Sequence, residues 1–343
     1  MDSSKHTYLI TGITGMIGSL LTKALINSKE YKQGKIRIIG LLRNSSRLES
    51  TLQDAISENF RCVECDFCDA CFQYESVAET LTDIISRPLD YIIHCAAPTA
   101  SSYMKFHPVE TADSILYGTR NMLELARRFS AKSMVYLSSM EVYGQVRDTG
   151  MPRGEAELGD ISLASARSCY PLGKRMAEHY CHIYWQEYGV PVKIARLAQT
   201  FGKGVRPGDN RVYMQFAKAI IENRDIVLQT KGTSMGNYCA SEDAVAAVFM
   251  ILEKGENGEV YNVVNEQNTM TIRKMAELAA ESAAAGNIQV KILGAASGEY
   301  APDTQLRMSG RKLRALGWKP TKELAQMYQD VVNELQIERN KDA

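Results

Sequence analysis

Tyr170 and Lys174 stand four residues apart in SCYPLGKRMAEHY. On a helix that spacing puts both side chains on one face. An ammonium beside a phenol favours the phenolate, and the pair then makes a base able to take a proton from an alcohol. Tyr-x3-Lys is also an ordinary helix pair, so it carries weight only in company. The company is YLSSMEVYG, residues 136–144. Ser139 closes a β-rich run there, and Glu141 comes two residues later. Met140 separates them, and a thioether has no proton to give.

A second stretch points to a dinucleotide. In TYLITGITGMIGSLLTKAL, residues 7–25, a β-rich run enters Gly12, Gly15 and Gly18 and then an amphipathic helix. Glycines allow a tight turn and close backbone approach to a pyrophosphate, and the helix N-terminus supplies N–H donors. The context, strand before and helix after, is the one such a site requires. Gly12, Thr14, Gly15, Met16, Ile17 and Gly18 are its candidate binding residues. The run IIGLLRNSSR ends without the acid that usually meets the adenosine ribose. Leu42 and Arg43 stand there instead, and an arginine accommodates a 2′-phosphate. The choice between NAD and NADP therefore tilts toward NADP. Asp66, with Phe67 beside it, is placed to meet the adenine edge. Cys95, Ala96 and Ala97 in HCAAP are small enough to let a cofactor lie against the backbone.

These residues must be positioned by a scaffold. TYLIT, KIRIIGLL, RCVECDF, YIIHCA, SMVYLSS and VKIARLA read as strands, with helical stretches such as SLLTKALINS and YGTRNMLELARR between them. YNVVN, residues 261–265, adds a late strand. Alternating strands and helices imply an α/β fold with a Rossmann-like, doubly wound parallel sheet. MTIRKMAELAAESAAAG and TKELAQMYQDVVNELQIER imply a smaller, helix-rich C-terminal substrate domain. The expected division is 1–200 with 238–265 for the dinucleotide-binding domain and 201–237 with 266–343 for the substrate domain, interleaved.

Forty basic residues balance forty acidic ones among 343. That argues against bulk electrostatic affinity for nucleic acid or anionic membranes. No apolar run approaches the ~20 residues that span a bilayer, and MDSSKHTYLI lacks the regions of a signal peptide. The expectation is a soluble cytoplasmic protein. Four of the eight cysteines, Cys62, Cys65, Cys68 and Cys71, repeat every third residue. In a strand Cys62 and Cys65 point to opposite faces, so no metal site is expected and the cysteines read as reduced thiols.

Thr11–Gly18, HCAAP, GTRNMLELA (118–126), SSxxVYG (138–144) and YxxxK (170–174), in this order, resemble the extended short-chain dehydrogenase/reductase superfamily, in its nucleotide-sugar epimerase/dehydratase branch. The resemblance spans nearly the whole chain. It implies that Ser139 hydrogen-bonds the reacting oxygen, that Tyr170 is the acid/base, and that Lys174 holds the nicotinamide ribose and tunes the tyrosine. It implies a nucleotide-sugar substrate and a homodimer through helices near 102–128 and 170–188. HCAAPTAS, HPVET, RSCYPLGKR and GDNRVYMQF look most like the UDP-glucuronate decarboxylases. Gln199 stands where relatives have asparagine near the sugar-nucleotide phosphates, and Asn237 stands near the place of a phosphate-contacting arginine. Arg211 and Arg307 are the other substrate-side candidates, with Ser139 and Met140 on the sugar.

The branch opens with oxidation at sugar C4, and the residues beside the serine decide the fate of the ketone. The 4,6-dehydratases look like S/T-D-E here, the aspartate serving as acid for the departing hydroxyl. Met140 in that place disfavours dehydration. Simple 4-epimerases need neither acid, whereas decarboxylases retain a glutamate, matched by Glu141. The expected activity is nucleotide-sugar epimerisation, with UDP-glucuronate-type decarboxylation as the alternative. A net-redox dehydrogenase and a catalytically silent NAD(P)-binding sensor complete the set. The intact Ser139, Tyr170 and Lys174 speak against the sensor.

Overall fold

A computed structural model of the chain describes residues 5–68, 79, 81–82, 89–206, 208–282, 288–294 and 303–341. Seven strands form one sheet in the order β10-β6-β5-β4-β1-β2-β3. They are β1 (His6–Thr11), β2 (Ile36–Leu42), β3 (Phe60–Glu64), β4 (Tyr91–His94), β5 (Ser133–Ser139), β6 (Val192–Leu197) and β10 (Val260–Val263). The pairs β1–β2, β1–β4, β2–β3 and β4–β5 are parallel. This is the doubly wound arrangement that the strand–helix alternation implies.

The strands read as nearly continuous apolar runs because helices cover both faces of the sheet. All but one residue of β2 and β5 is buried, whereas β3, at the edge, is mostly part-exposed. Helix α1 (Met16–Asn27) comes after β1. On one face the long helices α2 (Pro108–Arg128) and α3 (Cys169–Tyr188) bring Ile115, Met122, Leu123, Ala177 and Cys181 onto Leu9, Ile92, Met134 and Ile194. Gly173 permits close approach of these two helices, since a Cβ there would lie 3.3 Å from Ile115 Cδ1.

Order of the strands fixes where a ligand can sit. The chain leaves β1 toward β2 on one side and enters β4 on the other, so β1 and β4 flank the topological switch point. Ligands of open parallel sheets lie outside the carboxyl ends of the strands at that point.

The chain divides into two compact units. The first comprises Met1–Val142, Ile161–Arg196 and Ala247–Tyr261; the second comprises Tyr143–Asp160, Leu197–Ala246 and Asn262–Ala343. The second unit holds a three-stranded sheet, β11-β9-β7, and a two-stranded one, β12-β8. Their strands are β7 (Gln199–Phe201), β8 (Ile226–Leu228), β9 (Met235–Ala240), β11 (Asn265–Thr271) and β12 (Val290–Ile292). Among its helices are α4 (Val212–Ile221), α6 (Ile272–Ser282) and α7 (Leu324–Lys341), while α5 (Ser241–Lys254) begins in this unit and ends in the first. Its core is aromatic: Phe201 stacks on Tyr213 at 4.4 Å and meets Tyr238 and Tyr328 edge-on.

No described helix is long and apolar enough to cross a membrane. Among the described residues no group of three or more His, Cys, Asp or Glu could hold a metal ion. Cys62, Cys65 and Cys68 are partly buried free thiols, and burial pushes Cys62 and Cys65 up to about 11. Cys71 lies outside the described residues.

Candidate active site

The glycine loop is built by backbone crowding. Gly12 succeeds Thr11 at the end of β1 with φ +70°, and a Cβ on it would lie 2.9 Å from the Ala96 nitrogen. Such a φ strains any residue with a side chain. The turn closes through Gly15 N–H donating to Gly12 O at 2.8 Å. Gly18, one turn into α1, is fully covered; a Cβ there would overlap Gly12 O at 2.3 Å. Helix α1 has no side-chain cap and no acid in its first turn. Its first N–H groups therefore face outward with the positive end of the helix dipole. Gly15 is the exposed member, and a Cβ there would meet only Gly12 O, at 3.2 Å. A cradle that side chains would fill, at a helix N-terminus and beside the switch point, fits a pyrophosphate. Thr14, Met16 and Ile17 are half-buried around it.

This arrangement yields a prediction. Gly18→Ala should lower the melting temperature by about 4 °C or more, because α1 must shift off the loop. Gly15→Ala should leave the melting temperature within about 2 °C of the wild type yet weaken cofactor binding ~10-fold, since its methyl would stand at the exposed mouth of the cradle where a pyrophosphate is expected. Thermal scans with and without NAD+, and direct titration, check both.

A buried histidine that belongs to none of the expected site residues ties the loop to β4. Thr11 Oγ1 accepts the backbone N–H of Cys95 and of Ala96, each at 3.1 Å. With both lone pairs engaged, the hydroxyl proton goes to His94 Nδ1 at 2.8 Å. His94 then carries its own proton on Nε2, which faces Thr119 Oγ1 at 3.5 Å. Burial, reinforced by the Lys174 charge, pulls His94 down to about 3 and keeps it neutral. Its signal in the sequence is the first letter of HCAAP, a polar side chain at the end of an apolar strand.

The other expected cofactor residues are on the same unit. Arg43 is exposed immediately after β2. Asp66 is exposed and accepts the Cys68 N–H at 3.1 Å. Phe67 is buried, its carbonyl accepting from Asn121 Nδ2 at 2.8 Å. Cys95, Ala96 and Ala97 are half-buried beyond β4, and burial pushes the Cys95 thiol up to about 12.

Strand β5 and helix α3 carry the residues expected to do the chemistry. Strand alternation sends Ser138 and Ser139 to opposite faces. Ser138 Oγ donates to Glu178 Oε1 at 2.6 Å, and Arg196 forks the same carboxylate at 2.9 and 2.7 Å. This buried cluster locks β5, β6 and α3 in register. Ser139, at the strand end, is half-buried and accepts the Glu141 N–H at 3.3 Å.

Tyr170, in the first turn of α3, retains only 6% exposure. One helical turn later, Lys174 donates to Leu137 O at 2.7 Å. Its ammonium lies 4.7 Å from the Tyr136 ring centroid and 5.8 Å from that of Tyr170. Burial draws Lys174 down to about 8, opposed by the charge of Glu178. Tyr136 in turn stacks on His94 at 5.7 Å. An unbroken path of contacts thus runs from the glycine loop through Thr11, His94 and Tyr136 to Lys174. Met140 is half-buried in the short turn after β5. Glu141, in the same turn, is paired with Arg167.

The four remaining substrate-side candidates belong to the second unit. Gln199 opens β7, its Oε1 buried and without a hydrogen-bond partner among the described residues; Arg307 Nε is in the same condition. Arg211 stands just before α4, pairs with Asp209 and lies 5.0 Å from the Tyr213 ring. Asn237 is wholly buried. Its Nδ2 donates to Leu306 O at 2.9 Å, and its Oδ1 accepts from Met308 N at 2.8 Å and Thr269 Oγ1 at 3.2 Å. Its amide holds the 306–308 segment against β9.

The sequence pattern of the NAD dependent epimerase/dehydratase family matches residues 8–264. UDP-glucuronic acid decarboxylase 3 of Arabidopsis thaliana is 28% identical over 275 residues, 78% of this chain and 77% of that protein. dTDP-D-glucose 4,6-dehydratase of Bos taurus is 24% identical over 322 residues, 93% of this chain and 85% of the relative. Among solved structures, UDP-glucose 4-epimerase of Thermotoga maritima superposes with a TM-score of 0.79 at 21% identity, covering 97% of this chain and 99% of that one. dTDP-glucose 4,6-dehydratase of Bacillus anthracis, solved with NAD, gives 0.78 at 20% identity over 98% of both chains. The structural likenesses speak for the fold, and the family match covers most of the chain. This chain belongs to the NAD dependent epimerase/dehydratase family.

Proposed function

We propose that the chain is a nucleotide-sugar epimerase that works through reversible oxidation at sugar C4. The observation that carries this reading is the contact path from the glycine loop to Lys174, whose ammonium lies 5.8 Å from the Tyr170 ring and bonds Leu137 O, two residues before Ser139 on the same strand. Tyr170 takes the proton of the C4 hydroxyl as the carbon is oxidised and returns one when it is reduced. Ser139, at the open end of β5, hydrogen-bonds the same oxygen and holds it toward the phenol. Lys174, placed by Leu137 O, keeps positive charge next to the phenolate. NAD, held by the cradle at Gly12–Gly18, supplies the two-electron acceptor when bound. Met140 gives no proton to a leaving hydroxyl, so the ketone keeps its neighbours and the sugar needs only to turn over. The buried, unsatisfied Gln199 Oε1 and Arg307 Nε support a polar ligand at the second unit.

A second reading, decarboxylation of a UDP-glucuronate-type sugar, is favoured by Glu141 and by relatives named for that reaction. Products from a panel of UDP-, dTDP- and CDP-sugars, identified by mass spectrometry, separate the two. A C4 epimer supports the first reading; loss of carbon dioxide from UDP-glucuronate replaces it by the second. Arg43 is the group that would meet a 2′-phosphate, and the affinities of wild type and Arg43→Ala for NAD+ and NADP+ test that choice. A homodimer is part of the proposal. Tyr103, Phe106 and Val109, and Met176 and Tyr188 of α3, leave large apolar groups exposed where the pairing helices are expected.

A further inference from the structure

Arg167 opens the RSCYPLGKR stretch without an assigned role, yet it lies beside the proposed base. It is the middle residue of a short turn, Ala166–Ser168, that feeds directly into α3. Its Nη2 contacts both oxygens of Glu141, at 3.0 and 2.9 Å. Its guanidinium carbon lies 5.9 Å from the centroid of the Tyr170 ring. The two partners come from different segments, since Glu141 is in the turn just after Ser139. The pair is about 40% exposed on each side. At that exposure an ion pair contributes little to folding. Stability is thus a weak reason for it. The geometry supplies a better one: the pair joins the turn that follows Ser139 to the turn that leads into Tyr170.

We propose that Arg167 is a positioning residue of this site: it fixes the Glu141 carboxylate in place and sets the charge beside the Tyr170 phenol. The inference rests on the reading of Tyr170 as the proton-transferring group. The groups around that phenol come from every neighbouring element. Lys174 reaches it from α3 and Arg167 from the turn before the helix. Tyr136 faces it from β5. Glu141 is held by Arg167. Cys169, its neighbour in sequence, turns its thiol toward Met104 O at 3.7 Å. Arg167 and Lys174 thus bring positive charge to Tyr170, and Glu141 is the anion that Arg167 neutralises.

Charge arithmetic then gives signs. Arg167→Met removes a cation and leaves a carboxylate uncompensated, and both changes disfavour the phenolate. Glu141→Gln removes the anion and leaves Arg167 fully positive, which favours it. Arg167→Lys keeps the charge but loses the planar fork that holds a carboxylate. At 6 Å and partial exposure the change corresponds to about 0.5–1 in pH.

The experiment is a tyrosinate absorbance titration of the whole protein with cofactor, taken as a difference against Tyr170→Phe so that one of seventeen tyrosines is read. It is run on wild type, Arg167→Met, Arg167→Lys, Glu141→Gln and the Arg167→Met/Glu141→Gln pair. The expected result is a midpoint moved up in Arg167→Met by about 0.5–1 in pH, moved down in Glu141→Gln, and near wild type in Arg167→Lys and the double variant. The acid limb of the turnover profile should move in parallel. An unchanged midpoint in Arg167→Met, with at most a small loss of melting temperature, overturns the proposal and leaves a surface ion pair. The titration needs no substrate. If Tyr170→Phe keeps full turnover, the functional reading fails while the titration still decides whether Arg167 acts on Tyr170.

Discussion

Tyr170→Phe should fold, bind cofactor and lose turnover by about 10²-fold or more, the contribution of one general base. The ring packs in the buried layer between α3 and the sheet, and phenylalanine fills the same volume, so folding should survive. What disappears is the hydroxyl. Lys174 does not replace it, because its ammonium is committed to Leu137 O and to the Tyr136 face. Turnover in the presence of near-normal NAD+ affinity makes the measurement; retention of more than about a third of wild-type turnover removes Tyr170 from the mechanism. The same geometry sets a pH dependence. Lys174, drawn to about 8 by burial, loses its proton as pH rises through that value. A neutral amine no longer supports the phenolate, so turnover should fall above pH 8. Glu178 opposes the burial effect. Glu178→Gln should therefore move the falling limb to lower pH, because the ammonium loses the charge that sustains it.

Much of this was legible because the chemistry constrains the local chain. A pyrophosphate needs bare backbone, and the crowding of Gly12 against Ala96 and of Gly18 against Gly12 O leaves no choice of residue. Two groups on one helix face need a spacing of four, and Tyr170 and Lys174 show it. Apolar runs separated by helical stretches dictate a parallel sheet because both of its faces are covered. Long-range partners were not legible. Arg167 and Glu141 are 26 positions apart on two short turns with no periodicity. Nothing in ARSCY says which way the arginine reaches. His94 was visible as a letter, but its partners Thr11 and Thr119 come from β1 and α2. Ser138 and Ser139 could be assigned to opposite faces only once the strand ends were known. Asn237 is a further case. Its place in the sequence suggested a phosphate contact, but a side chain at the centre of a sheet is judged by what lies across from it. There it meets Leu306 O and Met308 N.

Glu141→Gln should divide the two remaining reactions. Met140 already narrows them: the wild type should release no 4-keto-6-deoxy sugar from UDP-, CDP- or dTDP-glucose, since a thioether cannot protonate a departing hydroxyl. If the chain is a decarboxylase, a carboxylate near the reacting carbons assists sugar distortion or proton handling at C5. Glu141→Gln should then stop carbon dioxide release from UDP-glucuronate while C4 oxidation persists as transient nicotinamide absorbance. If it is a 4-epimerase, Ser139, Tyr170 and Lys174 suffice. The loss should be modest, ~10-fold, as for a substrate held slightly out of place. The pairing with Arg167 sharpens the contrast. Glutamine is the same size and can still accept from Nη2, so the turn after β5 should keep its shape and the melting temperature should hold. A loss of carbon dioxide release in a protein that still oxidises C4 is then chemical in origin. A 4-keto-6-deoxy product from the wild type would defeat the Met140 argument and require another proton donor, for which Glu141 is the nearest carboxylate in sequence.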